Sequence, residues 1–174
     1  MANKKNIVRR IKSAVISVSD KSNLKPLLQT LNRYKVKLIS SGGTFKVIRK
    51  LGYRCLEVSD YTGFNEILDG RVKTLHPKIH AGILNKRNNN SHKREIKKNN
   101  FQNIDLVIVN FYPFEKTLNT TKNHNKIIEK IDIGGPALVR SAAKNYNDVA
   151  VITSTNQYSA LIDQLKRFKG CLLY

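Results

Sequence analysis

The chain has 174 residues, 40% of them hydrophobic, enough for one domain with its own core. It carries 32 Lys and Arg against 12 Asp and Glu, a formal net charge of +20 at pH 7. There is no apolar run of about 18 residues, no apolar centre to a signal peptide in MANKKNIVRRIKS, and no C-x-x-C pattern around Cys55 or Cys171, so a membrane span, a secretory signal, a disulfide framework and a zinc knuckle are not expected.

A cytoplasmic protein is the resulting expectation. The charge itself has two readings. Lys and Arg neutralise phosphates, which points to nucleic acid. Yet the polar positions are filled by Lys and Asn together, as in NKRNNNSHKREIKKNN, the mark of a general drift in residue usage on solvated surfaces. No helix-turn-helix, RNP or zinc-finger pattern accompanies the charge, so no specific nucleic-acid partner is expected.

Residues 1–12 read as a loose basic arm. SAVISVS (13–19) is a short β-branched strand, and NLKPLLQTLNRYK after it sets Leu24, Leu27, Leu28 and Leu31 on one helical face. VKLISS (36–41) is a second strand, Gly42 and Gly43 form a turn, and TFKVIRKLG is a helix stopped by Gly52. CLEV (55–58) reads as a third strand. A long Gly-, Pro- and His-containing stretch separates it from a polar helix near 91–100 and from IDLVIVNFYP, whose unbroken apolar run fits a parallel strand buried on both faces. KIIEKI (126–131) and PALVRSAAKN (136–145) read as helices, the second with Pro136 at its first position. VAVITS (149–154) is a fifth strand and QYSALIDQLKRFK a last amphipathic helix. This alternation predicts an α/β fold: one doubly wound, mostly parallel sheet flanked by helices.

Ligands of such sheets bind beyond the carboxyl ends of the strands. Ser17, Ser19, Asp20 and Lys21 follow the first strand, Ser40 to Thr44 the second, and Asn110 and Tyr112 end the long apolar one, so all should face one rim. The Ser-Ser-Gly-Gly-Thr turn is either a cradle for a phosphate monoester or an ordinary helix cap; it has neither the Walker spacing nor that of a dinucleotide turn. His76 and His80 have the spacing of a helical metal pair, but Pro77 lies between them and no third ligand is near, so no metal is expected. Asp132, Arg140 and Lys144 are either a capping loop with a solvated cationic face or ligand groups. Lys144 lies eight residues past Pro136, about 12 Å along a helix, and a lysine leaning towards the N-terminus recovers about 6 Å of that.

Taken in order, SVSDK, SSGGT, DYTGFNEILDGRVKTLHPKIHAGIL, NFYPF and IDIGGPALVRSAAKN resemble the N-terminal, inosine monophosphate cyclohydrolase domain of the PurH family of bifunctional purine biosynthesis proteins. The resemblance runs from about residue 13 to 165 and is most specific in GRVKTLHPKIHAG. It implies a methylglyoxal synthase-like fold over 13–174 and dehydrative closure of 5-formamidoimidazole-4-carboxamide ribotide to inosine monophosphate. By motif it assigns nucleotide binding to Ser17, Val18, Ser19, Asp20, Lys21, Ser41, Gly42, Gly43, Thr44, Arg71, Val72, Thr74, Asn110, Phe111, Ile133 and Gly134, and catalysis to Lys73, Tyr112, Asp132 and Lys144. It implies no metal or organic cofactor, a homodimer, and a formyltransferase domain or protein supplying the substrate; nothing in this sequence encodes that second activity. Phe111 stands where the family usually has Leu, and Tyr146 where it often has His. Two alternatives remain: a methylglyoxal synthase-like phosphate-binding enzyme, and a nucleotide- or nucleic-acid-binding remnant that has lost catalysis.

Overall fold

In the computed structural model, which describes residues 8–173, the chain opens with β1 (Val8–Arg10) and β2 (Ser13–Val18). Alternate side chains of β2 are apolar and buried on both sides, so it needs a helix layer over each face. The first is supplied at once by α1 (Leu24–Arg33), whose Leu24, Leu27, Leu28 and Leu31 are at most 1% exposed. Each such side chain contributes about 1.5–3 kcal/mol by leaving water. β3 (Lys37–Ser40), α2 (Gly42–Lys50) and β4 (Leu56–Glu57) extend the pattern.

β5 (Leu106–Asn110) and β6 (Ala150–Ile152) complete a five-stranded sheet in the order β4-β3-β2-β5-β6, every neighbouring pair parallel. Along β5, Leu106 and Ile108 enter one core while Val107 and Val109 enter the other, as the unbroken apolar run predicts. The first core is covered by α1 and by α9 (Tyr158–Arg167) with Leu161 and Leu165; the second by α4 (Pro77–Leu84) and α8 (Gly134–Lys144), through Ile79, Ile83, Leu138 and Ala142. The predicted doubly wound fold is the one observed.

Several boundaries differ from the sequence reading. Gly42 and Gly43, read as a turn, already belong to the first turn of α2; Gly42 adopts φ +54°, a left-handed entry that glycine tolerates. Val58 opens a short helix, α3 (Val58–Thr62), instead of ending a strand. The polar segment forms α5 (Asn90–Lys98), close to the expected bounds and with no buried residue. Two further helices went unread: α4, which starts at Pro77, and α6 (Phe114–Thr120). The helix expected over 126–131 is α7 (His124–Ile128), and α8 begins at Gly134, two residues before Pro136. Pro136 is still in the first turn, where no N–H is needed.

Residues 1–7 of the predicted arm lie outside the described residues. Residues 8–10 are not loose: β1 pairs antiparallel with β7 (Cys171–Leu173), Val8 opposite Leu173. Of the described residues, no helix is long and apolar enough to cross a membrane.

Candidate active site

Because the five strands run parallel, Val18, Ser40, Glu57, Asn110 and Ile152 end at one rim. The chain winds outward from β2 through β3 to β4, then resumes as β5 on the other side of β2. The crevice between the loops after β2 and β5 is the switch point where open α/β sheets bind ligands. A cleft of about 470 Å3 opens there, a size that suits a small-molecule ligand.

One wall is the loop after β2. The Asp20 N–H donates to Asn110 Oδ1 at 2.8 Å and Asn110 Nδ2 donates to the Asp20 carbonyl at 2.8 Å, clasping this loop to the end of β5. Hydrogen bonding from Ser22 holds the Asp20 carboxyl below the usual carboxylate range. Asp20 therefore shapes the loop and is not among the residues lining the cleft. Lys21 folds its ammonium back onto the carbonyls of Val18 and Ser19, at 3.3 and 3.0 Å, and lines the cleft.

The next wall is the start of α2. Thr44 Oγ1 donates to the Val18 carbonyl at 2.9 Å and accepts the Val18 N–H at 3.2 Å, fastening helix to strand. The Thr44 hydroxyl is thereby spent inside the fold. Ser41 to Thr44 line the cleft at this helix start, and the first-turn N–H groups of a helix, which no intrahelical carbonyl can satisfy, favour an anion.

The third wall is the start of α8. Asp132 Oδ1 accepts the Gly135 N–H at 2.8 Å, pinning the carboxylate to the helix end. A Cβ on Gly135 would stand 2.5 Å from Asp132 Oδ2, and one on Gly134 would stand 2.6 Å from Thr74 Oγ1. The two glycines thus let Asp132 and Thr74 close on the same point. Arg71 pairs with Glu129 and Lys73 with Glu66, the latter at 3.1 Å. Tyr112 is exposed, with the Lys130 ammonium 5.1 Å from its ring centre.

Of the residues singled out from sequence, the cleft gathers Ser17, Val18, Ser19, Lys21, Ser41 to Thr44, Arg71, Lys73, Thr74, Asn110, Tyr112 and Asp132 to Gly134. It leaves out Asp20, Val72, Phe111 and Lys144. Val72 lines an adjoining recess of about 330 Å3 beside Phe64 and Leu75. Lys144 is exposed at the last position of α8, ten residues beyond Gly134, and its reach does not bring it into the cleft of its own chain. Sequence reasoning missed Asp69, Gly70, Ile128, Glu129, Ile131 and Gly135. Gly70 and Gly135 sit inside the matched motifs and could have been found there; Ile128 and Glu129 follow no pattern.

The cleft lining holds three cations, Lys21, Arg71 and Lys73, against three acids, Asp69, Glu129 and Asp132. The +20 charge is therefore spread over the surface and not focused here. The two histidines serve the scaffold: His76 caps α4, its Nδ1 accepting the Lys78 N–H at 3.1 Å, and His80 Nδ1 lies 2.8 Å from Ser141 Oγ on α8. Burial pushes the His80 imidazole below its ordinary 6.5, against a smaller upward pull from the backbone of Thr74. Among the described residues, no group of three His, Cys, Asp or Glu is placed to hold a metal ion.

A family model described as the MGS-like domain matches residues 23–137, the stretch that carries two of the three walls of the cleft, the starts of α2 and α8. The chain belongs to the MGS-like domain family. Within it, this MGS-like chain is 49% identical over 164 residues to the bifunctional purine biosynthesis protein PurH of Acetivibrio thermocellus, covering 94% of this chain and 32% of that protein. It is likewise 49% identical over 155 residues to PurH of Clostridioides difficile, covering 89% and 30%, and 46% identical over 166 residues to PurH of Bartonella tribocorum, covering 95% and 31%. The chain thus spans about a third of the length of these relatives. Among solved structures, the crystal structure of ForH superposes with a TM-score of 0.80 at 32% identity, over 92% of this chain and 82% of that one.

Proposed function

We propose that this MGS-like chain is an inosine monophosphate cyclohydrolase, closing the pyrimidine ring of 5-formamidoimidazole-4-carboxamide ribotide with loss of water. The observation that carries the reading is convergence: five segments spread from Ser17 to Gly135 meet in one cleft at the switch point. The identity to PurH proteins over nearly the whole chain supports the same reaction class.

The chemistry asks for what the cleft offers. The carboxamide nitrogen is a poor nucleophile. Its lone pair must form a bond to the formyl carbon while the formyl π bond opens, leaving negative charge on oxygen. The attacking nitrogen then loses a proton, and the oxygen, having taken up two protons, leaves as water as the C–O bond breaks and the former formamido nitrogen gives up its own proton to form the C=N bond of inosine monophosphate. A fixed cation and a hydroxyl beside the developing oxyanion lower this barrier, the roles given to Lys73 and Tyr112. Asp132, pinned by the Gly135 N–H, orients and polarises the carboxamide.

Lys144 remains the group for proton transfer and enters this reading from a second copy of the chain, since it stands outside the cleft of its own. The exposed apolar side chains Phe64, Ile67, Leu68, Phe111, Ile131 and Ile133 suit such a homodimer. The formylated substrate comes from a separate formyl-transferring domain or protein, in the cytoplasm. The test is direct: purified protein is given the formylated ribotide and ring closure is followed by ultraviolet absorbance. Appearance of inosine monophosphate is expected; a folded protein that binds the ribotide without closing it would overturn the reading.

A further inference from the structure

We propose that Glu66 is a positioning residue, holding the Lys73 ammonium against the first turn of α2 so that it meets the substrate in a fixed place. The role of Lys73 here rests on the cyclohydrolase reading above; that of Glu66 rests on geometry. Lys73 Nζ lies 3.1 Å from Glu66 Oε1. The same Nζ lies 2.9 Å from where a Cβ on Gly42 would stand, so the ammonium sits directly over the glycine that opens α2.

The pair reaches across Gly70. A Cβ there would lie 2.2 Å from Lys73 Cε and 2.3 Å from Glu66 Oε1, so only glycine lets the two side chains meet. Gly70 has φ +86°, and Leu68 and Asp69 before it both have φ +52°. Three consecutive left-handed residues fold the chain sharply back and set position 66 beside position 73. Leu68 has no side-chain hydrogen bond with which to offset that conformation, and backbone strain of this kind persists where a site needs it.

The direction of approach separates Glu66 from the ligand-touching groups. Lys73 lines both the cleft and the adjoining apolar recess, whereas Glu66 lines the recess alone. Glu66 therefore grips the ammonium from the side away from the ligand and acts through Lys73. With Lys73 33% and Glu66 45% exposed, the pair adds little to stability. Its effect lies in where it puts a charge.

A double-mutant cycle with the formylated ribotide tests this. Glu66→Ala lowers kcat about 10-fold or more with KM changed by no more than about twofold, because a misplaced group costs the transition state and not the ground state. Glu66→Gln, which keeps an acceptor and loses the charge, falls between. In a Lys73→Ala background Glu66→Ala removes nothing further. Unchanged kcat in Glu66→Ala, or losses that simply multiply across the two sites, overturns the proposal. Should the unsubstituted protein show no turnover, the cyclohydrolase reading fails, and the positioning is read from Lys73 itself. Acetic anhydride labelling, mapped by mass spectrometry, then rises several-fold in Glu66→Ala; equal labelling of Lys73 in both proteins overturns it.

Discussion

The two ends of the parallel sheet carry similar residues and use them in opposite ways. At the amino-terminal end the Asp105 carboxylate accepts the N–H groups of Lys12 and Ser13, at 2.8 and 3.2 Å, and pairs with Arg87 at 3.7 Å. Arg87 donates to the carbonyls of Gly82, Asn85 and Ile104, and Asp148 accepts the Arg87 N–H while pairing with Arg9 at 2.8 Å. Asp105, Arg87 and Asp148 are each answered more than once by the protein. At the carboxyl end, Arg71 and Lys73 each have one carboxylate partner, and the helix-start N–H groups of α2 have none to expect within their helix. The groove at the amino end, about 680 Å3, is larger than the cleft, so size does not mark the site. What marks it is polar capacity left unspent.

That contrast makes its strongest claim at Lys73. Lys73→Ala should cut turnover about 10^3-fold, the scale of losing one donor to a developing oxyanion, while urea unfolding stays near that of the parent protein; a matching loss of stability would erase the distinction between the ends. Arg87→Ala should do the reverse. It leaves Asp105 short of its cation and three carbonyls short of a donor, so the urea midpoint should fall by the equivalent of about 3 kcal/mol, with inosine monophosphate affinity of the folded protein unchanged by calorimetry. Gly135→Ala probes the boundary: its Cβ would meet Asp132 Oδ2 at 2.5 Å, displacing the carboxylate, and affinity for inosine monophosphate should drop about 10-fold. The smallest effect concerns His80, which links α4 to α8 through Ser141. Its pKa is lowered in the folded protein, so below about pH 6.5 the unfolded chain binds the proton first and stability declines as pH falls. Urea midpoints at pH 7.5 and 5.5 should differ more for the parent protein than for His80→Gln; equal differences would remove His80 as the source.

How much of this was legible depended on sequence distance. The strand-helix alternation and the leucine face of α1 are local, and they predicted the fold. The rim clusters were legible because parallel strands put their carboxyl ends together whatever the strand order. The β1–β7 pairing was not, since Val8 meets Leu173 through contacts that the mixed basic composition of the first residues conceals. α4 did carry a signal: Pro77 at a helix start is favourable, but between two histidines it reads more readily as a breaker. A helix start at Pro136 allowed Lys144 to reach Asp132; α8 starts two residues earlier, at Gly134, and Lys144 at its far end does not line the cleft. The meeting of Glu66 with Lys73 depends on left-handed backbone at Leu68 and Asp69; aspartate adopts that conformation readily, but leucine is a type from which it is not read.

The β1–β7 ladder has a topological consequence. Because Val8 and Leu173 are direct partners across an antiparallel pair, the two are about 5 Å apart at Cα. The described chain is close to a closed loop, and a linker of a few residues would join it into one. Its order of elements could then be cut afresh in a largely exposed connection such as that between α6 and α7, with the sheet, the switch point and the cleft unchanged.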